Sequence, residues 1–246
     1  MNIAIMQAYF FPYIGYFQLI KSVELFVIYE YVSFRKGSWV TRNRILDKGK
    51  NEPTYINLSV SKKSIGDIVS TVNLTHKKER VKAIANLVYY NYKKAPFFDE
   101  IYPGLKDSLY CEEQNLHSYN AKTIEYVCKL LGIETTIIAV NTDCAFIENS
   151  LEANAKESGN NTMTQRVIEL CKHYGGNHYI NPIGGLELYS REDFQKSDLE
   201  ISFVKTDPIV YEQFKSPFVP GLSIIDVLMH NGIDETRNLL KSYQLI

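Results

Sequence analysis

The sequence predicts an α/β fold, a mainly parallel Rossmann-like sheet flanked by helices, with a small hairpin or helical subdomain. Three observations predict it. Met1 to Glu30 reads as strand, turn, short apolar helix and strand. Helix, glycine, strand then recurs at Ser118 to Val140 and at Met163 to Asn181. Between these units, Trp39 to Leu46 and Thr54 to Val60 are β-rich runs on either side of Asp47-Lys48-Gly49-Lys50-Asn51, the pattern of a hairpin.

In chain order, Asn2 to Met6 and Leu25 to Tyr29 are apolar runs of strand length, with Phe17 to Val23 as the helix between them. The connecting stretch Gln7 to Tyr16 is therefore the loop at the carboxyl end of a first strand, the edge where open α/β sheets bind ligands. Tyr9, Phe10, Phe11, Tyr13, Tyr16 and Phe17 crowd into nine positions there. Pro12 fixes a φ suited to a first helical turn, which would aim backbone N–H groups at an anion, and Gly15 would permit close approach. The same rings serve equally as core, because Tyr and Phe bury well once their polar tips are satisfied.

Thr75 is a plausible N-cap for a helix in which Val81, Ile84, Ala85, Val88 and Tyr92 recur at helical spacing, stopped at Ala95-Pro96. A shorter helix follows between Pro96 and Cys111. Ser118 to Leu131 is amphipathic and ends at Gly132, before the β-rich run Glu134 to Val140. Asn149 to Thr164 is polar and reads as a loop or arm able to close over a site. Met163 to Tyr174 is a helix, His178 to Asn181 a strand, and Pro182 to Gly185 the loop after it. Leu186 to Gln195 is a helix candidate and Glu200 to Val204 a strand. A proline-punctuated connection, Pro208 to Pro220, leads to helices at Ser223 to Asn231 and Glu235 to Tyr243. Residues 1–246 are expected to form one domain with a helical subdomain around 75–131.

With 45% hydrophobic and 22% charged residues the chain can bury a large core. A net charge of −1 argues against a nucleic-acid binder that relies on bulk electrostatics, so neither polymeric DNA nor RNA is the expected partner, and only a local basic patch stays open. There is no apolar run of about twenty residues and no signal-peptide pattern, so no membrane insertion and a cytoplasmic location are expected. Cys111, Cys128, Cys144 and Cys171 lack paired spacing and read as reduced thiols, with Cys128 in a core stripe.

Arg42 and Arg44 lie two apart on a strand, so they share a face with Asn43 opposite. Two guanidinium groups on one face suit a phosphate or diphosphate, and Trp39 beside them offers a stacking surface. The alternative is a solvated face with an ordinary Arg–carboxylate pair. Asn181-Pro182-Ile183-Gly184-Gly185 follows a strand and precedes a helix, so its amides can cradle an anion, with Tyr179 and Asn181 adding polar contacts. Ser223 caps an apolar helix on which Asp226 and His230 are one turn apart, a spacing that lets a carboxylate orient an imidazole base. His178 is a rival base and His117 a third. No metal-ligand spacing, nucleophile elbow or phosphate-loop motif is present, and no metal site is expected.

Four blocks, MQAYFFPYIGYFQLI (6–20), WVTRNRIL (39–46), YINPIGGLELY (179–189) and FVPGLSIIDVLMHNG (218–232), resemble the WbqC-like family of bacterial proteins. Two departures are Ala8, where the family usually has proline, and Glu30-Tyr31, where it commonly has paired aspartates. The resemblance implies acyl or aminoacyl transfer to the amino group of a nucleotide-linked amino sugar, for a surface glycan of the O-antigen, lipopolysaccharide type. On that basis Arg42 and Arg44 hold the diphosphate. Gln7, Tyr9, Phe10, Pro12, Gly15, Tyr16 and Trp39 pack sugar or base. Gly184 and Gly185, with Tyr179 and Asn181, bind a second anion, and Asn43 and Ser223 complete the substrate-binding set. His178, or His230 with Asp226, supplies the base. The acyl donor stays open between a carrier-protein thioester, coenzyme A and an aminoacyl-tRNA, and an acyl or aminoacyl carrier protein is a candidate partner. The alternative is a non-catalytic protein of glycan assembly that binds a sugar or a partner enzyme.

Overall fold

The computed structural model describes residues 1–61, 67–158 and 162–246. Its strands are β1 (Asn2–Met6), β2 (Leu25–Ile28), β3 (Arg42–Asp47), β4 (Glu52–Asn57), β5 (Thr136–Ile138), β6 (His178–Pro182), β7 (Glu200–Thr206) and β8 (Tyr243–Leu245). Its helices are α1 (Ile14–Lys21), α2 (Lys77–Tyr92), α3 (Phe98–Leu109), α4 (Leu116–Leu131), α5 (Ala145–Ser158), α6 (Thr162–His173), α7 (Arg191–Gln195) and α8 (Ile224–Leu239).

Six strands form one sheet in the order β5-β2-β1-β6-β7-β8, parallel except for β8. The chain starts at the centre, moves outward through β2 to β5, then returns to lay β6 on the other flank of β1. Strand order therefore reverses between β1 and β6, and at such a reversal the loops leave to opposite faces and open a crevice. Alternation along the strands feeds two cores. Ala4, Phe26 and Ile180 face α1, α4 and α8, whereas Ile3, Ile5, Val27 and Tyr179 face α5, α6 and α7. Strands β3 and β4 form a separate antiparallel hairpin, with Arg44 opposite Tyr55, and α2 packs against it.

Helix α2 buries Val81, Ile84, Ala85, Val88 and Tyr92, the set its spacing predicts, although it starts from His76 in a left-handed conformation rather than from a Thr75 cap. Helix α4 opens on the Asn115 side chain, which accepts from the Ser118 amide. It closes at Gly132 (φ 63°), where the Ile133 amide reaches back to the Cys128 carbonyl.

Three expectations are corrected. The polar stretch 149–164 is mainly helical: α5 runs to Ser158 on the strength of Ile147 and Leu151, and α6 begins at Thr162. Gly159, Asn160 and Asn161 lie outside the described residues. The helix expected over 186–195 is reduced to Arg191–Gln195, because Phe194 is its single buried apolar anchor. The two helices expected at the C-terminal end are both present, joined end to end within α8 across the non-helical Gly232 (φ 69°), where the Phe97 ring leaves no room for a side chain. The chain end expected in a helix at Tyr243 instead forms β8, which pairs with β7. Among the described residues none of the four cysteines is in a disulfide. Among the described residues no helix is long and apolar enough to cross a membrane.

Candidate functional site

A cavity of about 640 Å³ opens at the carboxyl ends of β1, β2 and β6, at the point where strand order reverses. Its wall takes Met6 and Gln7 from β1 and the loop after it, and Tyr29 and Tyr31 from the end of β2. Tyr179, Asn181, Gly184 and Gly185 come from β6 and its turn, Arg166 comes from α6, and Arg35 and Ser38 from the approach to the hairpin. Of the residues singled out in the sequence, Gln7, Tyr179, Asn181, Gly184 and Gly185 meet here. Arg35, Ser38, Tyr29 and Arg166 were not foreseen. No local motif marks them, and the topology alone brings α6 beside the segment after β2.

The polar groups of this wall are tied in place. Tyr179 is fully buried, stacks on Phe194 and donates its hydroxyl to Asn181 Oδ1 at 3.1 Å. Asn181 in turn sits so close to Gly185 that a Cβ at 185 would collide with its amide nitrogen. Gly184, by contrast, faces open space. Gln7 donates to the Tyr9 hydroxyl at 3.2 Å. Behind the wall Glu148 accepts from the Arg166 Nε at 2.7 Å and from the Tyr29 hydroxyl. Burial, and then the Glu148 carboxylate, push the Tyr29 phenol far above its usual range. Arg166 is held, yet 29% of its side chain stays exposed. Arg35 is exposed and makes no ion pair among the described residues. Two guanidinium groups thus border a cavity whose wall, among the described residues, carries no Asp, Glu or His.

The hairpin carries a second group. Arg42 lies over the Tyr55 ring (4.7 Å) and Arg44 over the Trp39 ring (5.5 Å), with Arg44 Nη2 donating to the Gly221 carbonyl at 2.9 Å. Among the described residues neither arginine pairs with a carboxylate, and the Nε of each is buried without a partner. Asn43, on the opposite face as expected, is buried and donates to the carbonyls of Phe10 and Phe11. Trp39, Arg42 and Arg44 lie outside the cavity wall, although Ser38, next to Trp39, is part of it.

The aromatic loop is mostly structural in its placement. Phe10 and Phe11 are fully buried, with Phe11 at φ 39°. Its carbonyl receives the Ser223 hydroxyl as well as Asn43, and the Pro12 carbonyl receives the Ile224 amide. Gly15 packs against the Tyr13 ring. Tyr16 is buried and donates to the Gln7 carbonyl, and burial raises its phenol. Tyr9, partly buried, leans on Tyr16. The family departures are absorbed too: the Ala8 carbonyl accepts from Asn120, and Glu30 and Asn141 exchange side-chain to backbone bonds.

The three candidate bases lie elsewhere. His178 opens β6, so the whole strand, about 13 Å at roughly 3.3 Å per residue, separates it from the Gly184 turn. There it meets Ser202 Oγ at 2.9 Å on the amino edge of the sheet. His230 is buried against Phe214 with Nε2 3.9 Å from Asp226, and burial lowers its pKa. Asp226 is fully buried and accepts from Tyr92, Tyr211 and Gln213. His117 donates to the Ala139 carbonyl.

These features define a doubly wound α/β protein with an arginine-bordered crevice at its topological switch point. The chain belongs to the WbqC-like protein family, whose model matches residues 7–238. It is similar to "Uncharacterized protein Rv1507c" of Mycobacterium tuberculosis (strain ATCC 25618 / H37Rv), at 27% identity over 236 residues that cover 95% of each chain. No solved structure gives a significant match.

Proposed function

We propose that the protein binds a nucleotide-linked amino sugar in the switch-point cavity and transfers an acyl or aminoacyl group to the sugar amine, in the cytoplasm, for an O-antigen type of surface glycan. The observation that carries this reading is the convergence of Arg35 and Arg166 with Gln7, Asn181 and the Gly184-Gly185 turn on one cavity. Its volume falls within the range of about 300 to 1,000 Å³ that small-molecule sites occupy. Arg35 and Arg166 are suited to the diphosphate, because guanidinium forks match paired phosphate oxygens. Tyr29 and Tyr31, their rings 5.8 Å apart and tilted by 48°, lie on the same wall and offer ring surface to a base or sugar.

A sugar ammonium must shed a proton before it attacks an acyl carbonyl. In this reading Glu148, reached through the Tyr29 hydroxyl, accepts it. Among the described residues the cavity wall itself bears no carboxylate or imidazole, and that observation favours the second reading, a sugar-binding protein without turnover. Incubation with a UDP-linked amino sugar and each class of acyl donor separates the two by mass spectrometry. An N-acylated sugar supports the transferase, and binding without product supports the binding protein.

A further inference from the structure

We propose that the outer face of the β3–β4 hairpin binds the single-stranded end of an RNA, and that the acyl donor is an aminoacyl ester carried on that RNA. The donor assignment rests on the transferase reading above, whereas the binding face stands without it.

The net charge of −1 conceals a strong division. Residues 35–61 and 77–94, which comprise the hairpin, its approach and α2, hold twelve of the 27 basic side chains and three of the 28 acidic ones. That is +9 here against −10 for the rest of the chain. Such a local excess attracts a polyanion although the whole molecule is neutral. Lys78, Arg80 and Lys82 are exposed on α2, which packs against the hairpin, and Lys93 and Lys94 are exposed just beyond its end.

On the hairpin the charge is interleaved with rings. Trp39 is 39% and Tyr55 43% exposed, and the guanidinium groups of Arg44 and Arg42 are layered on them. Neither arginine has a carboxylate partner among the described residues, so both charges are uncompensated. Planar rings and guanidinium groups without a carboxylate partner are what unpaired nucleotides use, bases stacking while phosphates take the charge. An acidic peptide would answer the charges and leave the rings without planar partners.

The face also leads to the cavity. Arg35 and Ser38 line the cavity, and the next residue after Ser38 is Trp39, which stands under Arg44. Arg42 closes the same short segment, its guanidinium 3.7 Å from where a side chain on Gly37 would begin. A strand tracked by Arg42 and Arg44 therefore ends at the cavity mouth. There the sugar nitrogen attacks the ester carbonyl, a C–N bond forms and the ester C–O bond breaks. The terminal ribose oxygen leaves with the proton that the amine gives up, and the products are an amide and uncharged RNA.

Fluorescence anisotropy of labelled, deacylated tRNA and of a twelve-nucleotide single-stranded RNA tests the face on the whole protein. Both bind the parent, and affinity falls at least tenfold between 50 and 200 mM salt, as multiple phosphate contacts require. Arg42→Ala with Arg44→Ala weakens binding at least tenfold, Arg42→Lys with Arg44→Lys less so, and both proteins keep the parental melting temperature and UDP-sugar binding. Absence of RNA binding, or binding indifferent to both double variants, overturns the face. RNA binding without UDP-sugar binding leaves the face standing and removes the transferase reading. Transfer from a coenzyme A or carrier-protein thioester, with none from charged tRNA, overturns the donor assignment.

Discussion

Asp226 and His230 show how one spacing serves two ends. Their separation by one helical turn suggested a catalytic pair, and the structure does bring them to 3.9 Å, but inside the core. Asp226 there accepts from three side chains, so Asp226→Ala orphans Tyr92, Tyr211 and Gln213 together. Chemical denaturation is expected to show a loss of about 3 kcal/mol or more, with Asp226→Asn retaining part of it. His230 is held below its ordinary value of 6.5 by burial, against the opposing pull of Asp226 and Glu212. The unfolded chain thus takes up a proton before the folded one does, and stability falls as pH drops below 6.5. Melting temperatures between pH 7.5 and 5 should trace that decline, and His230→Gln should flatten it. Gly185 is the residue-scale key to the cavity, since a Cβ there displaces the Asn181 amide. Gly185→Ala is expected to cost about 1 to 3 kcal/mol in denaturant melts and to lower ligand affinity, whereas Gly184→Ala, whose Cβ meets open space, keeps the parental stability.

At the scale of elements, sequence patterning worked where one face of an element is apolar and failed where function of the element depends on its neighbours. Helices α2 and α4 announce themselves through Val81-Ile84-Ala85-Val88 and Ile124-Val127-Cys128-Leu131, the latter with a glycine stop. Helix α5 does not, because Ile147 and Leu151 are its two large apolar residues that reach the core, and its partner, α6, follows it in the chain. Strand β8 hides for another reason: three residues at a chain end become a strand only because β7 offers an edge. The hairpin was legible from Asp47 to Asn51, yet its role as the support of the aromatic loop was not. Asn43 holds the Phe10 and Phe11 carbonyls from the buried face, and the Phe11 backbone is in the left-handed region. Asn43→Ala is expected to destabilise by about 2 kcal/mol, because two buried carbonyls lose a donor, with thermal unfolding as the readout.

For the molecule as a whole, the decisive event is the insertion of β6 beside β1. The two strands are some 175 residues apart, and nothing local in either states that they pair. The β1 loop and the Gly184-Gly185 turn were each readable as ends of strands, so five of the cavity's residues were visible in advance. Arg35 and Arg166 were not, since one sits in an irregular segment and the other on a helix, and only the sheet order brings them to one cavity. The histidines misled by the same gap: His178 belongs to the right strand but to its amino end, the edge away from the crevice. The central claim is that this cavity takes the nucleotide-linked sugar. Isothermal titration of UDP and a UDP-linked amino sugar into the parent, Arg35→Ala and Arg166→Lys tests it most directly. Binding to the parent that weakens at least tenfold in both variants, about 1.4 kcal/mol or more each, is the expected result. Parental affinity in both variants, or no binding by the parent, would contradict it.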